Sequence, residues 1–262
     1  MNSLFGGGWR SAPSDTETRR PTALLPNHSW KVVPESDTET DLKRIPPMRK
    51  PKPYTVSARL YDVISFEWPV YRAGRAAAIE LLALPAGSHV LDIGCGTGLN
   101  FPLLQRQIGP GGTITGVDVS PQMLAQASQR TASAGWSNVT LIAADATAAD
   151  LAELGAHLPF DAAISTYALS LMSDWRSALE TMFSATRVGG AVAVVDMQTP
   201  TGAAAVWTPM ARLACRLGGS DIDAHPWTAM TAGRKELGVG NVQSAEVRGG
   251  HIQVCVGSVL PR

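Results

Sequence analysis

The residues of this sequence best placed to do chemistry are three carboxylates and a run of glycines. Val90-Leu91-Asp92-Ile93 leads straight into Gly94-Cys95-Gly96-Thr97-Gly98, Asp118 closes Thr113 to Val117, and Asp145 follows Val139 to Ala143. Each acid thus follows a short apolar run, and open α/β sheets bind their ligands outside the carboxyl ends of such strands. The glycines let backbone approach a ligand closely and take conformations that other residues resist. A carboxylate at Asp92 would repel a pyrophosphate but attract the ammonium of an amino-acid-like ligand. An acid at Asp118 suits a pair of ribose hydroxyls. A nicotinamide dinucleotide site is the rival reading, because its enzymes use an acid in that place as well. Its glycine fingerprint is GxGxxG, however, and here the spacing is GxGxG.

The elements that must position these groups are legible around them. Pro69 is placed to open a helix over about 70–84, which Pro85-Ala86-Gly87-Ser88 breaks. His89 to Ile93 reads as a buried strand, Leu99 to Ile108 as a helix, and Thr113 to Val117 as the next strand. Ser120-Pro121 supplies an N-cap and an N1 proline for a helix over Gln122 to Ala134. Val139 to Ala143, Asp161 to Thr166 and Ala191 to Val195 follow as strands, with a helix from about Asp174 to Thr186. Such alternation predicts an α/β fold, a three-layer Rossmann-like sandwich around a mostly parallel seven-stranded sheet. Val242 to Arg248 and His251 to Val259, joined by Gly249-Gly250, predict an antiparallel C-terminal hairpin.

Val90 to Gly98 resembles the first motif of class I S-adenosylmethionine-dependent methyltransferases, acid-x-Gly-x-Gly-x-Gly. The resemblance covers residues 54–200. It implies that S-adenosyl-L-methionine is the cofactor, with the loop around its methionine part and Asp92 holding the amino end. It further implies that Asp145, with Ala146 beside it, meets the adenine amino group, and that Val119 and Met123 pack the adenine ring. The stretch Phe160 to Ser170 resembles the family's fourth motif, which puts Tyr167 nearest the transferred methyl; a buried core tyrosine is the other reading. Tyr54 and Tyr61-Asp62 look like the aromatic entry segment of the ubiquinone/menaquinone and phospholipid groups. Asn100 resembles the phospholipid N-methyltransferases. A small or lipid-like acceptor is therefore expected, a phospholipid head-group amine first, with quinone-type C-methylation or tailoring of a secondary metabolite as alternatives.

Composition sets the remaining bounds. The chain has 262 residues, 45% apolar and 17% charged, with zero formal net charge. That suits a globular domain and gives no electrostatic reason to expect a nucleic-acid partner. Cys95, Cys215 and Cys255 form no disulfide pattern or metal cluster, so no metal is expected and a reducing, cytoplasmic setting is. No apolar stretch is long enough to span a bilayer, although Arg49-Lys50-Pro51-Lys52 suits peripheral contact with anionic lipid. Residues 1–52, rich in proline and polar runs, read as a disordered or loosely attached tail, from which Trp9 and Trp30 stand out. Residues 53–262 read as the domain, with an apolar substrate-side insertion at about 199–233. Within it Trp207, Met210, Leu213 and Leu217, with Trp227 beyond, suit either the roof of an apolar pocket or ordinary core packing. His225, His157, His251, Tyr167 and Asp62 are available as bases, and none has a spacing that singles it out. Outside methyl transfer, the readings are an NAD-dependent oxidoreductase and a non-catalytic cofactor-binding scaffold.

Overall fold

The apolar runs become the strands of one sheet whose order reverses in the middle. The computed structural model describes residues 29–32, 71–148, 159–232 and 237–261. In chain order the elements are β1 (Ser29–Val32), α1 (Arg72–Leu82), β2 (His89–Ile93), α2 (Phe101–Ile108), β3 (Thr113–Asp118), α3 (Pro121–Ala134), β4 (Val139–Ala143), β5 (Phe160–Thr166), α4 (Trp175–Ala185), β6 (Thr186–Met197), α5 (Thr208–Gly218), α6 (Thr228–Ala232), β7 (Val239–Val247) and β8 (Ile252–Val259). The sheet order is β1-β7-β8-β6-β5-β2-β3-β4. Strands β2 to β6 pair in parallel, whereas β8 runs antiparallel between β6 and β7. From β2 the chain steps outward through β3 and β4, then crosses back to β5 on β2's other side. Open α/β sheets bind their ligands in the crevice at such a reversal, which here falls at the carboxyl ends of β2 and β5.

Both faces of the sheet are covered. Val90, Ile114, Ile164 and Val195 pack with residues of α1, α2 and α3. Leu91, Ile93, Val117 and Val194 pack on the other face with Leu179 and Met182 of α4 and Met230 of α6. Consecutive strand residues thus point to opposite cores, so a strand buried on both faces reads as one continuous apolar run.

The local signals act as expected. Ser120 caps α3, its Oγ accepting from Met123 N at 3.4 Å, and Asp174 caps α4 by accepting from Ser177 N at 3.2 Å. Gly249 and Gly250 turn the hairpin at φ +63° and +75°. Several boundaries move by one to three residues, among them β7, which starts at Val239 rather than Val242, and two differences are larger. β6 starts at Thr186 rather than Ala191, with a register shift opposite Phe160/Ala162. Ser29–Val32, inside the segment read as a loose tail, forms an eighth strand antiparallel to β7, with Trp30 opposite Ala245.

Candidate functional site

The glycine loop leaves β2 and folds over the end of β3. Cys95 N donates to Val117 O at 3.0 Å and Gly98 N to Cys95 O at 3.0 Å. Gly94, Gly96 and Gly98 lie at φ +66°, +55° and +78°, in the left-handed region that favours glycine. Their reasons differ. A Cβ on Gly94 would collide with Ala168, and one on Gly98 would stand 2.6 Å from the Phe101 ring, but one on Gly96 meets nothing within 4 Å. The outer glycines let the chain pack, and the middle one leaves open space above the loop. Cys95 is buried, and burial raises its thiol well above the usual range, so it is a packing residue rather than a nucleophile. Thr97 is buried too, and its carbonyl accepts from Arg130 Nε at 2.8 Å.

Beneath the loop lies Asp92, fully buried. Asn100 Nδ2 donates to both of its oxygens, at 3.0 Å each. The same amide nitrogen is 3.1 Å from Thr166 Oγ at the end of β5, so one side chain ties β2 to β5 across the crevice. Burial lifts the Asp92 carboxyl to about 7; the Asn100 bond and the Arg75 cation pull it down by less, and Asp118 adds a small push upward.

Asp118 ends the next strand. Its two oxygens accept from Gly96 N at 2.9 Å and Ser120 N at 2.8 Å. Each oxygen keeps a second lone pair for another donor, and burial raises this carboxyl as well. Val119 follows with 72% of its surface exposed, while Met123, one turn into α3, is buried. Asp145 lies on the surface after β4, closing its own turn by accepting from Thr147 N at 2.9 Å and Thr147 Oγ at 2.7 Å. Ala146 is buried beside it. Asp92, Asp118 and Asp145 therefore follow three adjacent strands, β2, β3 and β4.

Tyr167 comes directly after β5 with φ +58°, a strained value for a non-glycine residue. Its N–H donates to Val195 O at 2.7 Å and its hydroxyl to Tyr71 O at 2.8 Å. The ring is tilted against Tyr71, centroids 4.8 Å apart, and the Arg75 guanidinium lies 5.0 Å above it. Tyr167 is thus buried and pinned to the start of α1, and its phenol proton is already donated. Tyr54, Tyr61, Asp62, His157 and Trp9 lie outside the described residues.

Two groups were missed from sequence. Arg75 of α1 is buried, donating through Nη1 to Asn100 Oδ1 at 3.2 Å and to Thr166 Oγ. Its signal was a cation within the repeat Tyr71, Gly74, Ala78, Leu82, where an apolar residue is expected. The second is Asp196 at the end of β6, fully buried and lifted to about 6 by that burial. It accepts from Ser170 N at 2.9 Å, Ser170 Oγ at 2.7 Å and Met197 N at 2.9 Å. Ser170 Oγ in turn lies 2.7 Å from Ser220 Oγ.

The other candidates separate clearly. His251 Nδ1 bonds Gln198 O at 2.7 Å in the hairpin turn. His225 sits at φ +45° against Trp227, ring centroids 4.9 Å apart, with its Nε2 buried and unbonded. Trp227 is core. Trp207, Met210 and Leu213 are not: they are 60%, 59% and 57% exposed, beside Val206 at 75%. Ala211 and Cys215 of α5 face the core instead, so ordinary core packing does not account for that stripe. Among the described residues no cluster of His, Cys, Asp and Glu could hold a metal ion, and no helix is long and apolar enough to cross a membrane.

A family described as a methyltransferase domain matches residues 84–225. Demethylmenaquinone methyltransferase from Staphylococcus aureus (strain JH9) is 31% identical over 143 residues, 55% of this chain and 56% of that protein. The chain spans about half the length of the curated relatives it matches. Among solved structures, an Aquifex aeolicus SAM-dependent methyltransferase superposes with a TM-score of 0.57 at 16% identity, covering 78% of this chain and 98% of that one. Haemonchus contortus phosphoethanolamine N-methyltransferase 2, in complex with S-adenosyl-L-methionine, gives 0.60 at 14% identity, covering 78% and 57%. These likenesses share the fold. With more than half of its length matched by that family, the chain belongs to the methyltransferase-domain family.

Proposed function

We propose that this chain transfers the methyl group of S-adenosylmethionine to a small lipophilic acceptor bound beside the crevice between β2 and β5. The observation that carries the reading is the cradle itself: a loop whose middle glycine faces open space, flanked by a buried carboxylate and a half-buried one on adjacent strands. Its chemistry fits the cofactor. Asp92 offers a negative charge to the ammonium, Asp118 has lone pairs left for ribose hydroxyls, and the exposed Val119 offers an apolar surface to the adenine. Met123, Ala146 and Asp145 complete the adenine end in this reading, while Thr97 and Cys95 shape the loop from below.

The sulfonium supplies an already activated methyl group. What remains for the protein is alignment and exclusion of water, and good alignment alone lowers such barriers by up to about 7–11 kcal/mol. Asn100 ties Asp92 to Thr166, so the donor end of the site and the strand that leads to Tyr167 are held in one register. Tyr167, with its hydroxyl given to Tyr71 O, acts in this account as a wall rather than a base.

For the acceptor, the Staphylococcus aureus relative is a demethylmenaquinone methyltransferase, which favours a quinone-type ring. The exposed apolar residues of α5 and the turn before it suit such a molecule or the surface that delivers it. A phospholipid head-group amine is the second reading; it rests on the same surface and on the likeness of Asn100. Incubating the protein with a cell extract and a deuterated methyl donor, followed by mass spectrometry of the lipid fraction, should reveal a product three deuterons heavier. Saturable binding of NAD(H), with none of S-adenosylhomocysteine, would overturn the proposal in favour of an oxidoreductase.

A further inference from the structure

The residues around Asp92 leave one question: why a carboxylate should stay charged where burial favours its proton. Asn100 has two ends, and they face opposite ways. An arginine can only donate, so the atom that meets Arg75 Nη1 at 3.2 Å must be the amide carbonyl. That turns the amide nitrogen toward Asp92, where it bonds both oxygens. With the amide turned round, its carbonyl would face Asp92, and only a protonated carboxyl could satisfy it. The two orientations therefore correspond to two states of Asp92, and Arg75 selects the charged one.

Resting on the cofactor reading above, we propose that Arg75 is a positioning residue for the methyl donor, locking Asn100 so that Asp92 is kept as the anion that receives the donor's ammonium. Arg75 is itself held for the task. Thr166 Oγ accepts from it, the Tyr167 ring lies 5.0 Å beneath it, and Gly74 beside it leaves room for the Tyr167 hydroxyl. It also lies outside residues 84–225, the part matched by the family, so α1 brings this cation to the shared site. The groups acting on Asp92 are Arg75 from α1, Asn100 at the head of α2, Cys95 in the loop, Asp118 on β3 and Thr166 on β5. Of the charged ones among the described residues, only Arg75 favours the anion.

The test is the affinity for S-adenosylhomocysteine, measured by calorimetry from pH 5.5 to 8 on the full chain. Wild type should lose affinity as Asp92 takes up its proton. In Arg75→Met the midpoint of that loss should move up by at least about one pH unit. The variant is then about tenfold weaker near pH 6.5 and within about threefold of wild type at pH 8. Arg75→Lys, which keeps a charge in a folded protein, should restore most of the midpoint. A uniform loss at every pH, or a Lys variant with the midpoint of the Met one, overturns the proposal. Wild-type protein that binds no S-adenosylhomocysteine at any pH sinks the cofactor reading. Binding whose pH profile Arg75→Met leaves unmoved sinks the role of Arg75 alone.

Discussion

Asp92→Asn is the substitution whose consequences the structure fixes best. Asp92 is fully buried and its carboxyl titrates near 7, against 3.8 for the free group. Between those values the folded protein holds a proton that the unfolded chain has released, so stability falls as pH rises through this window. Each pKa unit is worth about 1.36 kcal/mol, so from pH 5 to pH 8 this one residue removes about 3 kcal/mol. Asparagine has no such proton. The substitution also changes hydrogen bonding and packing by an amount that does not vary with pH, whereas the attraction between the Asp92 anion and Arg75 is already contained in the value near 7. Asp196, lifted to about 6, contributes in the same direction in both proteins and cancels in the comparison. Urea unfolding followed by tryptophan fluorescence and circular dichroism at pH 5, 6, 7 and 8 reads the difference directly. The two stability curves should converge or cross by about 3 kcal/mol as pH rises, with the variant losing less. Parallel curves would mean that Asp92 is ionised throughout, and the account of the buried carboxylate would be wrong.

Three further outcomes are expected. Gly96→Ala should fold, losing about 1–2 kcal/mol for its left-handed backbone, yet lose S-adenosylhomocysteine binding because its methyl enters the open space. Gly94→Ala, at φ +66° and colliding with Ala168, should lower the melting temperature far more; the reverse ranking in a thermal melt would contradict the loop geometry. Asp118→Ala should weaken S-adenosylhomocysteine by tenfold to about a hundredfold, the worth of hydrogen bonds to a charged group, with the fold retained; unchanged affinity in calorimetry would remove Asp118 from the site. Deleting residues 1–28 should leave a monodisperse domain, whereas deleting 1–52 strips β1 and bares the β7 edge; light scattering that fails to separate the two deletions would deny β1 that role.

Much of the fold could be read from residue order because the local rules agree there. His89–Ile93 and Val139–Ala143 have the same ends in sequence and structure, since a charged residue, a glycine or a polar turn closes each apolar run. The capped starts of α3 and α4 are equally plain, at Ser120-Pro121 and Asp174. β1 was not legible: four residues amid proline and polar runs carry no periodic signal, and only the unpaired edge of β7 makes them a strand. In the site, the acids and glycines announce themselves through their place after strands. Arg75 does not, because its meaning arises only when α1 packs over Asn100 and Thr166, 25 and 91 residues away. The α5 stripe stayed ambiguous for a related reason. Helical spacing shows that Trp207, Met210 and Leu213 share one side of a helix, but not which side meets the core. Ala211 and Cys215 take that side.

Asp92 and Asp196 look alike in sequence, each an acid at the end of an apolar strand, and both are fully buried with raised carboxyls. Their hydrogen bonds set them apart. Asp196 receives two backbone N–H groups and a hydroxyl, all at 2.7–2.9 Å, so its charge is met within the fold. Through Ser170 and Ser220 that charge rivets the loop after β5 to the segment that follows α5. Asp92 receives a single amide group among the described residues, shared between its two oxygens. A buried carboxylate with so few donors is costly unless something else supplies positive charge. At Asp92 that charge comes in part from Arg75, and burial still holds its carboxyl well above the usual range. A bound cation relieves that cost at Asp92 and has little left to relieve at Asp196. The distinction between the two acids thus lies in the donors left unsupplied, and on that measure Asp92, not Asp196, is the carboxylate that the ammonium of the proposed methyl donor would relieve.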